Sequence, residues 1–182
     1  MPLLEVVTRC YKRPKMLLRN ILSLQRQSVS DWEQTFLVDD VGLGIGASYK
    51  RLAHHAPVGD WLWILDDDDE CIYDDLVFMV SSIALEQPQT QVIMVRMDHG
   101  AELGILPDAH VWGNGPVHGH IGCSAYIVRR DVWQRHAHAF SGGHYASDFD
   151  FINEIWLEHP HVFWLDVVAS ATQAGRMMGA VE

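Results

Sequence analysis

The chain has 182 residues, 48% of them hydrophobic, with 13 Lys plus Arg against 24 Asp plus Glu and a net charge of −11. That size fits one domain with a packed core and excludes an intrinsically disordered chain. The acidic balance argues against duplex DNA as a partner, because long-range repulsion opposes approach to a polyanion.

Cys10, Cys71 and Cys123 are odd in number, far apart and without a CxxC pair, so neither a disulfide framework nor a structural zinc site is expected. The opening MPLLEVVTRC is interrupted by Glu5 and is too short for a signal-peptide core. No run reaches the roughly 18–20 apolar residues of a membrane span. The expected location is cytoplasmic, either free or peripheral to the inner membrane face.

In chain order, residues 3–8 (LLEVVT) predict a buried strand, and Pro14 opens a helical pattern, PKMLLRNILSLQRQ. Residues 32–38 predict a second strand that runs into Asp39 and Asp40. The glycine-rich turn VGLGIG then leads to a helix near 47–55. It lacks dinucleotide-loop spacing and follows the second strand, not the first. Residues 61–65 (WLWIL) form a third strand, followed by a helix over 72–86 and a strand over 91–97. Residues 98–121 are rich in Gly, His and Pro and lack periodicity, a length of loop that is usually functional or mobile. A strand at 124–128, a helix from about 130, the loop FSGGHYAS, a helix near 148–157 and a strand at 162–168 complete the pattern. Alternating strands and helices predict one α/β domain with a mostly parallel central sheet flanked by helices.

In such a sheet, ligands gather beyond the carboxyl ends of the strands. Three predicted strands end there in polar residues: TRCYKR at 8–13, Asp39-Asp40, and Asp66 to Asp69. Four adjacent carboxylates near a core need a compensating cation or raised pKa values. On an extended segment Asp66 and Asp68 share one side, and Asp67 and Asp69 face away or cap the next helix. The Asp66 and Asp68 pair suits Mg²⁺ or Mn²⁺, hard ions that keep coordination sites for water and phosphates. Read alone, DDDDE is equally an acidic turn before a helix.

The ordered blocks VVTRCYKRPKMLLRNILSLQRQS, WEQTFLVDD and GDWLWILDDDDE resemble the family 2 glycosyltransferases of GT-A fold, over about residues 3–168. The resemblance implies a single GT-A, Rossmann-like domain over 1–182. About 1–97 would be the nucleotide-sugar-binding half and about 98–182 the acceptor-side half. By position it assigns Cys10, Tyr11 and Arg13 to the nucleotide pocket, Asp39 to the base, Lys50 or Arg51 to a further cation, and Asp66 with Asp67 to the donor. Asp66 and Asp68 match the DxD metal pair. HYASDFDFINEIW resembles the block that carries the catalytic base, with Asp148 at its aspartate, Ser147 where glutamate is commoner, and Asp150 as second candidate. Trp112, Asn114 and His118 are the acceptor-side candidates.

The implied activity is metal-dependent, inverting transfer of a sugar from a UDP- or GDP-sugar to a hydroxyl. The acceptor is left open among a glycan, a lipid-linked precursor, a protein and a modified nucleotide. A nucleotidyltransferase and a non-catalytic nucleotide-sugar-binding module remain alternatives. The tail ASATQAGRMMGAVE offers no histidine as a third metal ligand. His118 with His120, and His136 with His138, alternate as zinc ligands do, but without supporting cysteines they are read as surface or core residues. Trp61, Trp63, Phe149, Phe151 and Trp156 are read as packing residues.

Overall fold

A computed structural model describes residues 1–173. Its elements in chain order begin with β1 (Leu4–Cys10), α1 (Pro14–Leu24), β2 (Trp32–Val38), α2 (Ile45–Ala53), β3 (Trp61–Ile64), β4 (Asp69–Cys71) and α3 (Leu76–Glu86). They continue with β5 (Val92–Asp98), β6 (Ile105–Leu106), β7 (Tyr126–Arg129), α4 (Arg130–His136), α5 (Ser147–Leu157) and β8 (Val162–Thr172). The sheet order is β2-β1-β3-β7-β5-β8-β4, with β6 on β5. β2, β1, β3, β5 and β8 run in one direction, while β7, β6 and β4 oppose them. The sheet is therefore mostly parallel, as predicted.

The central strand β3 is apolar at every position, and β5 at most of its positions, because both faces are covered there. Leu62 and Ile64 point into a cluster with α2, α4 and α5 that contains Trp133, Phe140 and Phe151. Trp61, Trp63 and Leu65 point the other way, toward α1 and α3. The two-residue period of β3 thus builds both cores from one strand.

Several boundaries differ from the sequence reading, mostly by one or two residues. The helix expected from residue 72 starts at Leu76, because Asp69–Cys71 pairs antiparallel with Ser170–Thr172 and delays it. For the same reason β8 runs past residue 168 to Thr172. The segment 98–121 is not wholly irregular, since Ile105 and Leu106 pair with β5. The strand expected at 124–128 begins at Tyr126, after a 3-10 turn over Cys123–Ala125. Cys10, Cys71 and Cys123 are free and buried. No helix among the described residues is long and apolar enough to cross a membrane.

At the end of the sheet away from the acidic turn, Glu5 is fully buried. It accepts hydrogen bonds from the Thr35 hydroxyl at 2.7 Å and the Val58 and Gly59 N–H groups at 2.7 and 3.3 Å, and its carboxylate lies 2.8 Å from His55 Nε2. Gly59 permits this approach, since a Cβ there would stand 2.6 Å from the Glu5 nitrogen. Burial opposes ionisation, but these hydrogen bonds prevail and set the Glu5 pKa at about 2. The stabilisation is complete above the ordinary carboxylate pKa and is lost as pH falls through about 2. Glu5→Leu should cost about 3–5 kcal/mol in urea unfolding at neutral pH, because four polar partners lose one buried acceptor. A loss below about 1 kcal/mol would contradict this account.

Candidate active site

The carboxyl ends of β1, β2 and β3 converge. Asp39 N–H donates to the Cys10 carbonyl at 2.8 Å, and Asp67 N–H to the Arg9 carbonyl at 3.2 Å. After β3 the chain does not stay extended. Asp69 N–H donates back to the Asp66 carbonyl at 3.0 Å, which closes a turn over the aspartates.

Two buried amides hold that turn by its backbone. Asn20 Nδ2 donates to the carbonyls of Asp66 and Asp69 at 2.9 and 3.0 Å. Gln173 Nε2 donates to those of Asp67 and Asp69 at 3.1 and 3.2 Å, and Gln173 N–H to that of Asp68 at 3.0 Å. Gln34 in turn donates to Asn20 Oδ1 at 2.7 Å. Every carbonyl of the four aspartates has a donor. Sequence reasoning missed Asn20 and Gln173, since an amide 46 residues upstream or a hundred downstream carries no local motif.

The turn also overrides the expected alternation of side chains. Asp66, Asp68 and Asp69 each bring one carboxylate oxygen within 4.8 Å of the others. Asp67 points elsewhere: it accepts from Tyr11 N–H at 3.0 Å and from Arg13. Asp69 therefore joins the pair read from sequence, and neither Asp67 nor Asp69 caps α3, which has no side-chain cap. Burial pushes the Asp67 carboxyl up to about 6, against the pull of Tyr11 N–H and Arg13.

Two guanidinium groups balance the acids. Arg9 donates from Nε and Nη2 to both oxygens of Asp66, at 2.7 and 2.5 Å, and Arg13 Nη1 donates to Asp68 at 2.5 Å. Arg9 was not among the sequence candidates, although it stands beside Cys10. A set of three hard oxygen donors this close together fits Mg²⁺ or Mn²⁺.

Arg9, Asp66 and Asp69 open onto a cavity of about 590 Å³ that Tyr49, His118 and Asp148 also line, while Asp68 and Arg13 lie outside its lining. Asp148 sits in the first turn of α5, accepting from Phe149 N–H at 2.8 Å, with its carbonyl held by the Tyr126 hydroxyl at 3.1 Å. Burial raises its pKa, while Phe149 N–H and Arg9 pull against that rise. Asp150 lies outside the lining, 2.9 Å from His144 Nε2. Ser147 is fully buried, and its hydroxyl accepts from His144 N–H at 3.0 Å at the start of α5.

The other sequence candidates lie around this centre, not in it. Cys10 is buried, its thiol pushed up to about 12 by burial and by Asp67 and Asp66. The Tyr11 ring lies against Gly42, where a Cβ would come within 2.5 Å of the phenol oxygen. Asp39 uses both carboxylate oxygens on its own loop, accepting from Gly42 and Gly44 N–H at 2.9 and 3.1 Å. The Leu43, Gly44 and Gly42 N–H groups hold its pKa below the ordinary value against the cost of burial. Arg51 donates to the Val38 carbonyl at the end of β2, and Lys50 packs along Gly143.

On the side read as acceptor-facing, His118 lines the cavity and meets the Phe149 ring edge-on at 5.3 Å. Phe149, read as packing, lines it too. Trp112 lies under Arg96 at 4.1 Å and meets Trp164 in a T-shaped contact, and Asn114 donates to the His110 carbonyl at 3.0 Å, both away from the lining. His120 pairs with Asp108, while His136 and His138 share Glu154. Among the described residues the aspartate trio is the metal-type cluster present. Of the histidine-free tail, residues 174–182 lie outside the described residues.

No protein-family model matches the sequence, and no curated protein matches it either. Solved structures do. The chain is similar to TarS 1–349 of S. aureus at 15% identity and TM-score 0.68, over 94% of this chain and 60% of that one. TarS was also solved with UDP and with UDP-GlcNAc. A mannosyltransferase of Pyrobaculum calidifontis, in complex with GDP-Man and Mn²⁺, matches at 13% identity and TM-score 0.65, over 98% of this chain and 58% of that one. A glycosyltransferase involved in glycosylation of the major capsid of PBCV-1 matches at 11% and TM-score 0.59, over 96% of each chain. This chain thus spans about three fifths of the first two and nearly all of the third. At these identities the likeness establishes the fold, a single mostly parallel sheet flanked by helices.

Proposed function

We propose that the protein is a metal-dependent, inverting glycosyltransferase of family 2 type that moves a sugar from a nucleoside-diphosphate sugar to an acceptor hydroxyl. The observation that carries this reading is the presence of the Asp66, Asp69 and Asp148 carboxylates in the lining of one cavity. The neighbouring structures that hold UDP, UDP-GlcNAc and GDP-Man with Mn²⁺ support the class of donor.

Asp66, Asp68 and Asp69 would hold Mn²⁺ or Mg²⁺, a Lewis acid that stabilises the charge of a departing diphosphate. Asp148 would take the acceptor proton as that oxygen attacks the sugar carbon from the side opposite the leaving group. Its burial suits the task, because a raised pKa makes a stronger base near neutral pH. His118 and Phe149 would form a wall for the acceptor, and the segment 98–121 would keep water from the donor. The remaining nucleotide assignments, Cys10, Tyr11, Arg13, Asp39, Lys50 and Arg51, act in this reading by shaping the β1 and β2 ends around the base and ribose.

The deciding experiment offers a panel of UDP- and GDP-sugars with Mn²⁺ and candidate acceptors, and measures release of the nucleoside diphosphate. Release from one donor supports the reading. No release from any, with nucleotide bound, favours a binding module. Asn20→Ala and Gln173→Ala should each weaken Mn²⁺ binding about 10- to 100-fold in a direct titration, the scale of outer-sphere losses at metal sites. Unchanged affinity in both would show that the backbone clamp does not shape the ligands.

A further inference from the structure

We propose that Arg9 is the resident counter-cation of the acidic turn, displaced from Asp66 by the incoming divalent metal and then available to the anionic donor. This rests on the metal-dependent reading above. The two arginines at the turn differ in what they hold. Arg13 spans Asp67 and Asp68 and lies outside the cavity lining. Arg9 lines the cavity and closes both oxygens of Asp66, a carboxylate that lines it as well.

Arg9 is only 8% exposed, and its Nη1 is buried without a hydrogen-bond partner. An unmet donor on a buried guanidinium is costly; Arg13 Nε is unmet too, but of the two arginines Arg9 alone lines the cavity, where a second partner can enter. Burial opposes the charge on Arg9, yet Asp66 more than offsets this and keeps it protonated. A guanidinium cannot relieve repulsion from a divalent ion by losing a proton, so it must move. The Tyr49 ring, 4.4 Å from the Arg9 guanidinium carbon, gives it an aromatic face on which to remain while its grip on Asp66 is exchanged. The planar fork that fits a carboxylate also fits a phosphate.

The test titrates nucleotide-free protein with Mn²⁺, following the free-ion signal by electron paramagnetic resonance, for the parent, Arg9→Gln and Arg9→Lys. Arg9→Lys keeps the charge and removes the fork, so it separates the clamp from simple electrostatics, and as the milder change it carries the test where Arg9→Gln fails to fold. Both variants should bind Mn²⁺ at least about tenfold tighter than the parent, the scale of a charge-assisted bidentate pair. With Mn²⁺ saturating, UDP and GDP should bind both about tenfold more weakly. Parent-like or weaker Mn²⁺ binding by Arg9→Lys, or nucleotide affinity unchanged in both variants, overturns the proposal. If the parent transfers sugar with Mn²⁺ while the variants bind the ion no tighter, only the role of Arg9 fails. If the variants do bind tighter while no donor is turned over, only the transferase reading fails. Absence of Mn²⁺ binding in all three removes both.

Discussion

Asp148→Asn should lower turnover about 10²- to 10⁴-fold, the range expected when a general base is removed. The change is isosteric and leaves the aspartate turn untouched, so nucleotide and metal binding should stay at parental values. Asp150→Asn should retain near-parental turnover, because Asp150 faces His144 and not the cavity. The pH profile gives a second check. A base must be unprotonated to act, so activity rises with pH through the Asp148 pKa, which burial places above the ordinary carboxylate value. The acidic limb of the parent should therefore lie above the usual range for aspartate and vanish in the residual activity of Asp148→Asn. Equal losses in the two variants would remove Asp148 from the role.

The second large effect concerns the turn. UDP or GDP at about a hundredfold excess over its Kd should stabilise the protein by about 2.7 kcal/mol, or roughly 5–10 °C in melting temperature for a chain of this size. That gain should require Mn²⁺ or Mg²⁺ and be abolished by Asp68→Ala. Asp69→Asn should also weaken it, whereas Asp67→Asn should not act on the ion directly, since Asp67 is turned to Arg13 and Tyr11. An extended segment would turn positions 67 and 69 away from the ion alike and give no difference between them. The pair of variants therefore tests the turn itself. A nucleotide gain of the same size without any divalent ion would sink the metal-dependent reading.

Much of the architecture was legible because hydrophobic runs and punctuating residues report it locally. WLWIL reads as a strand buried on both faces, and it feeds both cores. The three polar strand ends meet because parallel strands place their carboxyl ends together. The shape of the aspartate segment was not legible, because a period-two rule applies only while the chain stays extended, and here it turns. What turns it is remote: Asn20 on α1, and Gln173 beyond β8, which also pairs with β4. For the same reason Asp69 was placed on the wrong side and the start of α3 was set four residues early. Trp112 shows a different limit. An aromatic residue in a Gly-rich loop suggests a sugar platform, yet the Trp112 ring is taken up by Arg96 over its face and by Trp164 in a T-shaped contact.

The clamp from Gln173 gives the protein a temporal order. Its bonds join residues 104 and 106 positions apart, and among the described residues β4 pairs with Ser170–Thr172 alone. During synthesis, which proceeds from the N-terminus, the four aspartates emerge long before the residues that shape them. A nascent chain stopped short of β8 would carry the acidic charge without the geometry. In the metal-dependent reading, selective capture of a divalent ion would be an event of late folding, and metal affinity would report whether β8 has docked.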